Sequence, residues 1–348
     1  MGKKIVVGVI GSGRIGKVHA ENIIRRIPDV TLKTIADINV EAAKPWIQDL
    51  GIPKTTKDYK DILKDPEIQA VLICSSTSTH AQFSIECAQA KKDCFCEKPI
   101  DFDIKRIYEV LDVVKKAGIN YQIGFNRRFD HNFRRVREVA KSGEIGDIHI
   151  VKVTSRDPDY SIDYIRESAK AGGIYYDMTI HDFDMIRYLS GMDVEEVYAQ
   201  GGALIDPRIG EAGDIDTTMV TMKFKGGALG YIDNSRRAVY GYDQRVEVFG
   251  TKGMAVVGND RPSIAEVYTK DQPKTDKIHY FFLERYNDAF IDELKEFFAA
   301  VRDDKPTPVT GNDGLQAVLI AAAAKRSLLE HRPVKLSEVD VAPAAKKK

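Results

Sequence analysis

The chain has 348 residues, 43% hydrophobic and 30% charged, the balance of a globular protein of about two domains at roughly 150 residues each. Lysine plus arginine (52) equals aspartate plus glutamate (52), so no global field draws the chain to nucleic acid or an anionic membrane. No apolar run nears the roughly 18 residues of a membrane span, and Met1-Gly2-Lys3-Lys4 leads into too short an apolar stretch for a signal peptide.

Ile5–Ile10 is a continuous apolar run, as in a strand buried on both faces. A helix is expected over 15–26 and a strand over Val30–Ala36, followed by strand-like runs at 70–74, 93–96 and 119–125. Amphipathic stretches at 79–92 and 103–117 lie between those runs. This alternation predicts an α/β fold with a parallel, doubly wound sheet over residues 1–125. After about residue 145 the rhythm changes to strands at 147–156, 194–201, 217–224, 228–233, 244–249 and 264–268, with hairpin-like turns at Gly226-Gly227 and Lys252-Gly253. A helix over 173–189 interrupts them, and helices over 287–302 and 312–330 close the chain. A second, α+β domain with a mostly antiparallel open sheet is therefore expected over 126–340, with a solvated tail over 341–348.

Cys74, Cys87, Cys94 and Cys96 are too few for a disulfide framework and match no common zinc spacing. They read as buried thiols of a reduced, cytoplasmic protein.

The strongest local motif is Gly11-Ser12-Gly13-Arg14-Ile15-Gly16, between the first strand and the first helix. Glycines there allow a tight turn, close approach to a pyrophosphate and tight helix packing, and the helix N-terminus offers N–H groups to phosphate. Asp37 ends the second strand, 21 residues after Gly16. A carboxylate there accepts from ribose hydroxyls and repels a 2′-phosphate, so NAD is expected over NADP. Lys98, in Cys96-Glu97-Lys98-Pro99, follows a strand, and the proline restricts it to an extended backbone or a cis bond. Asp177 and His181 are four apart and are expected on one helix face, where they could move a proton near neutral pH or could be a cap and a buried structural histidine. No further ligand cluster at metal spacing is evident. The pairs Arg134-Arg135 and Arg236-Arg237 read as solvated or carboxylate-binding, and His19, His131, His149, His279 and His331 as structural or exposed.

Together these segments resemble the Gfo/Idh/MocA oxidoreductases over about residues 4–336. GSGRIGKVHAENI and CEKPIDFD belong to the wider family, while VTSRDP, DMTIHDFDM and NSRRAVYGYDQR are specific to its inositol dehydrogenase-like branch. The resemblance implies a catalytic trio of Lys98, Asp177 and His181, and an NAD site of Gly11, Ser12, Gly13, Arg14, Ile15, Gly16, Asp37, Ser75, His80, Glu97 and Lys98. It places Arg127, Asp157 and Tyr242, with the trio, along a polyol pocket, and implies a homotetramer built on the second sheet. The expected reaction is NAD-dependent oxidation of myo-inositol to 2-keto-myo-inositol. Oxidation of scyllo-inositol or an aldose, NAD-using glycoside hydrolysis and a non-catalytic NAD-binding role are the alternatives. The sequence departs from close relatives at Asp159-Tyr160-Ser161-Ile162 and Ser168-Ala169-Lys170-Ala171, beside the expected pocket.

Overall fold

The computed structural model describes residues 4–342, so the expected tail lies outside the described residues from position 343 on. Two compact units emerge. The first runs through β1 (Ile5–Ile10), α1 (Arg14–Arg26), β2 (Val30–Ala36), α2 (Val40–Asp49), β3 (Lys54–Thr56), α3 (Lys60–Lys64), β4 (Ala70–Ile73), α4 (His80–Gln89), β5 (Asp93–Glu97), α5 (Ile104–Ala117) and β6 (Tyr121–Gly124). Among the described residues its strands form one parallel six-stranded sheet, ordered β3-β2-β1-β4-β5-β6. The order reverses between β1 and β4, the place where open α/β sheets leave a ligand crevice at the strands' carboxyl ends. Val7, Val9, Leu72 and Phe95 are fully or almost fully buried, as strands covered on both faces require.

The first unit also takes in residues 288–316, which the sequence reading placed in the second domain. Leu294, Phe297 and Phe298 join its core cluster. The Thr307 hydroxyl donates to the Tyr121 carbonyl at 2.9 Å, and the Ile123 N–H to the Val309 carbonyl at 3.3 Å. An apolar helix face packs wherever it is complementary, and chain order does not oblige it to join its sequence neighbours.

The second unit contains α6 (His131–Ser142), β7 (Ile148–Arg156), α7 (Ile162–Lys170), α8 (Ile174–Asp177), α9 (Ile180–Ser190), β8 (Val194–Gly202), α10 (Pro207–Glu211), β9 (Thr217–Phe224), β10 (Leu229–Ser235), β11 (Asp243–Gly250) and β12 (Gly253–Val257). After them come β13 (Glu266–Val267), β14 (Lys274–Thr275), α11 (Phe282–Arg285), α12 (Asn287–Asp303), α13 (Gly311–Glu330) and β15 (Val334–Lys335), of which α12 apart from Asn287 and the first residues of α13, 311–316, lie in the first unit. The main sheet is ordered β12-β11-β7-β10-β9-β8-β15 and is antiparallel except for the β7–β10 pair.

Two expectations change here. The strand expected over 264–268 shrinks to Glu266–Val267, paired with β14 in an exposed two-stranded ribbon outside the main sheet. The helix expected over 173–189 breaks into α8 and α9, because the Met178 and Thr179 N–H groups both turn onto the Ile174 carbonyl at 2.9 Å. Asp177 therefore ends one helix and His181 lies in the first turn of the next.

Candidate active site

In the first unit the glycine loop has the geometry its spacing predicts. Gly11 has φ +103°, and a Cβ on it would lie 2.5 Å from the Cys74 carbonyl carbon and oxygen. A Cβ on Gly16 would lie 2.0 Å from the Gly11 oxygen, whereas at Gly13 nothing stands within 4 Å. Close packing fixes the first and third glycines, and the second leaves a backbone cradle. No side chain caps the start of α1, so its first-turn N–H groups and positive dipole end serve that cradle. A dinucleotide pyrophosphate fits these features.

Asp37 borders the same loop. Its Oδ2 accepts from the Ser12 N–H at 2.7 Å and hydroxyl at 2.9 Å, and its Oδ1 from the Asn39 N–H at 2.8 Å. Partial burial opposes its charge, but these bonds outweigh burial and hold the carboxyl below its usual range.

At the ends of β4 and β5, His80 joins two loops: Nδ1 lies 2.8 Å from the Pro99 carbonyl and Nε2 3.0 Å from the Ser75 carbonyl. Carbonyls only accept, so two ring N–H groups fit this pair. Burial works against the ring's charge, but the Cys96 thiol and both carbonyls push its pKa up to about 9. His80 thus fixes the loops through their backbones. The Ser75 hydroxyl pairs with Thr79 at 2.7 Å. Lys98 is half-buried and its bond to Pro99 is cis. The Glu97 side chain turns inward, its Oε1 2.7 Å from His19 Nε2.

In the second unit the carboxyl ends of β7 and β10 and the start of β11 gather a buried polar cluster. Arg127 donates to Asp182 at 2.5 Å, to the Ser155 hydroxyl at 3.3 Å and to the Tyr242 hydroxyl at 3.3 Å. Asn234 donates to the other Asp182 oxygen at 2.8 Å, and Gln244 to Ser155 at 2.9 Å. Burial disfavours charge on Arg127, yet Tyr242, Tyr286, Asp182 and Asp157 around it raise its pKa. Arg127 and Tyr242, both expected at the pocket, are brought together; Asp157 stands in the same electrostatic neighbourhood. Burial, opposed by Arg236 and assisted by the nearby Asp177 charge, pushes the Asp157 carboxyl up to about 6.

Asp177 is held at both oxygens: the Tyr164 hydroxyl donates to Oδ1 at 2.5 Å, and both terminal nitrogens of Arg236 lie 3.2 Å from Oδ2. Neither partner belongs to the DMTIHDFDM motif that carries Asp177. Arg236, expected to be solvated or an ordinary carboxylate binder, is only 2% exposed and also lies 3.8 Å from Asp214. A signal for it existed: Ile232, Asn234 and Arg236 follow one another at period two, and Ile232 marks that face as the buried one. Tyr164, on α7, gave no such signal.

The second unit thus presents guanidinium, phenol and carboxyl groups at the ends of neighbouring strands, a donor and acceptor set for a small, hydroxyl-rich molecule. The first presents a dinucleotide cradle. Residues 5–125 match the family model described as the oxidoreductase family, NAD-binding Rossmann fold, and residues 133–256 match the GFO/IDH/MocA C-terminal domain. The chain is 48% identical to a myo-inositol 2-dehydrogenase of Thermotoga maritima over 96% of its length and 99% of that protein. It is 43% identical to an inositol 2-dehydrogenase of Rhizobium meliloti, over 95% of this chain and 98% of that one. A solved scyllo-inositol dehydrogenase from Lactobacillus casei, with bound NAD(H) and scyllo-inositol, superposes with a TM-score of 0.90 at 29% identity, covering 96% of this chain and 100% of that one. On its folds, its motifs and these likenesses, the chain belongs to the Gfo/Idh/MocA family of NAD-binding oxidoreductases.

Proposed function

We propose that this protein is an NAD-dependent dehydrogenase that oxidises the C2 hydroxyl of myo-inositol to give 2-keto-myo-inositol. The observation that carries the reading is Asp177, fixed at both oxygens by Tyr164 and Arg236 beside the Arg127–Tyr242 cluster. Bound NAD, which the glycine loop and Asp37 would hold, would supply the acceptor for the hydride of the carbinol carbon. His181 takes the hydroxyl proton, and the fixed Asp177 carboxylate orients and tunes that imidazole. Lys98 donates a hydrogen bond to the reacting oxygen. Arg127, Asp157 and Tyr242 pair with the remaining hydroxyls, which sets specificity, since a polyol lacking one of them would leave a buried polar group unpaired. Gly11 to Gly16, Asp37, Ser75, His80 and Glu97 shape the dinucleotide side.

Absorbance of NADH, followed with the inositol isomers and common aldoses, tests the reading. Myo-inositol is expected to give the highest kcat/KM; a larger value for scyllo-inositol would move the substrate to that isomer, and no NADH with any polyol would reject the activity. His181→Ala is expected to lower turnover by about 10²–10⁴-fold, the scale of a lost general base, with NAD binding retained. Near-native turnover in that variant would make His181 structural.

The same reading makes the protein a homotetramer of the cytoplasm. On the second sheet, Met254, Phe249, Ile150 and Leu229 stand in register across β12, β11, β7 and β10 as one row. Met254, Phe249 and Leu229 are 56%, 41% and 54% exposed, a row that association would cover. The four cysteines are buried and unbridged, which supports a reducing compartment. No helix of the described residues is long and apolar enough to cross a membrane.

A further inference from the structure

Behind the end of β5, three side chains from distant parts of the first unit converge: His19 of α1, Glu97 of β5 and Glu293 of α12. One nitrogen or oxygen of each lies within 4.8 Å of those of the others. His19 and Glu293 are 0% exposed and Glu97 8%. Their surroundings are aromatic, with the His19 ring edge-on to Phe95 at 5.2 Å and to Phe290 at 5.9 Å. Gly124 makes the room, since a Cβ there would lie 2.9 Å from Glu97 Oε2. The backbone of α12 is tied in as well, Gln122 donating to the Glu293 carbonyl at 3.1 Å.

The polar inventory is unequal. Glu97 has the His19 imidazole at 2.7 Å, whereas neither carboxyl oxygen of Glu293 has a hydrogen-bond partner within the protein. Two carboxyls this close in a buried site do not both ionise. Glu97 has an imidazole donor and Glu293 has none, so Glu293 is the one that keeps a proton. Its O–H then reaches Glu97 directly or through one water molecule. Burial, with the neighbouring Glu97, raises the Glu293 carboxyl well above the ordinary range. The Cys74 thiol also faces the cluster, and burial, with Glu97 and Glu293 among its neighbours, raises it as well.

We propose that Glu293 is a positioning residue: as a neutral carboxylic acid it completes a proton-sharing triad with Glu97 and His19 that anchors the strand end carrying Lys98. The Glu97 side chain is gripped from α1 and α12, and its main chain continues directly into Lys98. The consequence for turnover rests on the role given to Lys98 above, while the protonation of Glu293 does not.

The test uses the full chain and its Glu293→Gln and Glu293→Ala variants. Infrared difference spectra of parent minus Glu293→Gln at neutral pH, without substrate, are expected to show the C=O stretch of a protonated carboxylic acid. A carboxylate band in its place would overturn the proposal whatever the enzyme's substrate proves to be. In kinetics, Glu293→Gln, which keeps a neutral donor, is expected to stay close to the parent in kcat. Glu293→Ala is expected to lose about 10- to 100-fold in kcat, the scale of displacing a reacting group, with its alkaline pH limb moved and NAD affinity kept. Parent-like kcat in a folded Glu293→Ala protein would overturn the positioning role, as would equal losses in the two variants. If Glu293→Ala fails to fold, the spectrum and the Glu293→Gln kinetics still decide. Absence of turnover in the parent would count against the dehydrogenase reading and leave the infrared result standing.

Discussion

Asp37 is charged and fixed by three donors at the end of β2, where a dinucleotide's adenosine ribose lies in this fold. Juxtaposing a 2′-phosphate with that carboxylate costs several kcal/mol, and each ~1.4 kcal/mol is tenfold in affinity. Asp37→Ser is expected to lower the ratio of kcat/KM for NAD over NADP by about tenfold or more; an unchanged ratio would remove Asp37 from cofactor choice. His80 supports a pH prediction. Its pKa of about 9 in the folded chain exceeds the ordinary imidazole value of 6.5, so the native state binds the extra proton between those values. This contribution to stability is full below about pH 6.5 and is lost as pH rises through about 9. Urea midpoints measured from pH 6 to 10 should fall across that window, and His80→Asn, less stable at neutral pH, should show a flatter profile.

The break between α8 and α9 sets how Asp177 is presented, and Gly173 stands at the other end of α8 as its N-cap. Gly173 has φ +77°, and a Cβ on it would lie 2.3 Å from Asp214 Oδ1, the atom that accepts from the Ile174 N–H at 3.0 Å. Gly173→Ala would both strain the backbone and push away the carboxylate that caps α8. It is expected to lower stability by about 1–3 kcal/mol and to reduce turnover, read by thermal unfolding beside steady-state kinetics. The first break, at Gly173, was visible in the sequence as the start of the helix expected over 173–189. The second break was not, because Ile180, Met185, Ile186 and Leu189 keep a helical apolar pattern whichever way the chain turns at Met178. Periodicity reports which face is buried and says nothing of a widened turn.

Across the whole molecule, the exposed row on the second sheet carries the assembly prediction. Strand alternation sends Val151, Val153, Val220 and Met222 inward and leaves Leu229 and Phe249 on the outer face. A Leu229→Glu, Phe249→Glu double variant would place charges in that row and is expected to give a smaller mass than the parent by light scattering, with the fold retained by circular dichroism. Equal masses would show that this face is not where subunits meet.

The sequence by itself determined the nucleotide-binding half. The glycine spacing, the interval to Asp37 and the buried apolar strands are short-range signals that set backbone conformation directly; the structure forms the glycine turn and β1, β2, β4, β5 and β6 at those places, and adds β3 at the edge. It also determined Lys98, Asp177 and His181 as candidates, through motifs that are short and contiguous in the chain. Only the tertiary structure decided what surrounds them. Tyr164 and Arg236 grip Asp177 from 13 and 59 positions away, Glu293 reaches the His19–Glu97 pair from the far end of the chain, and residues 288–316 return to the first unit. Hydrophobic pattern marks a side as buried, but which polar side chains share that buried space depends on how distant elements pack, and no local spacing encodes it.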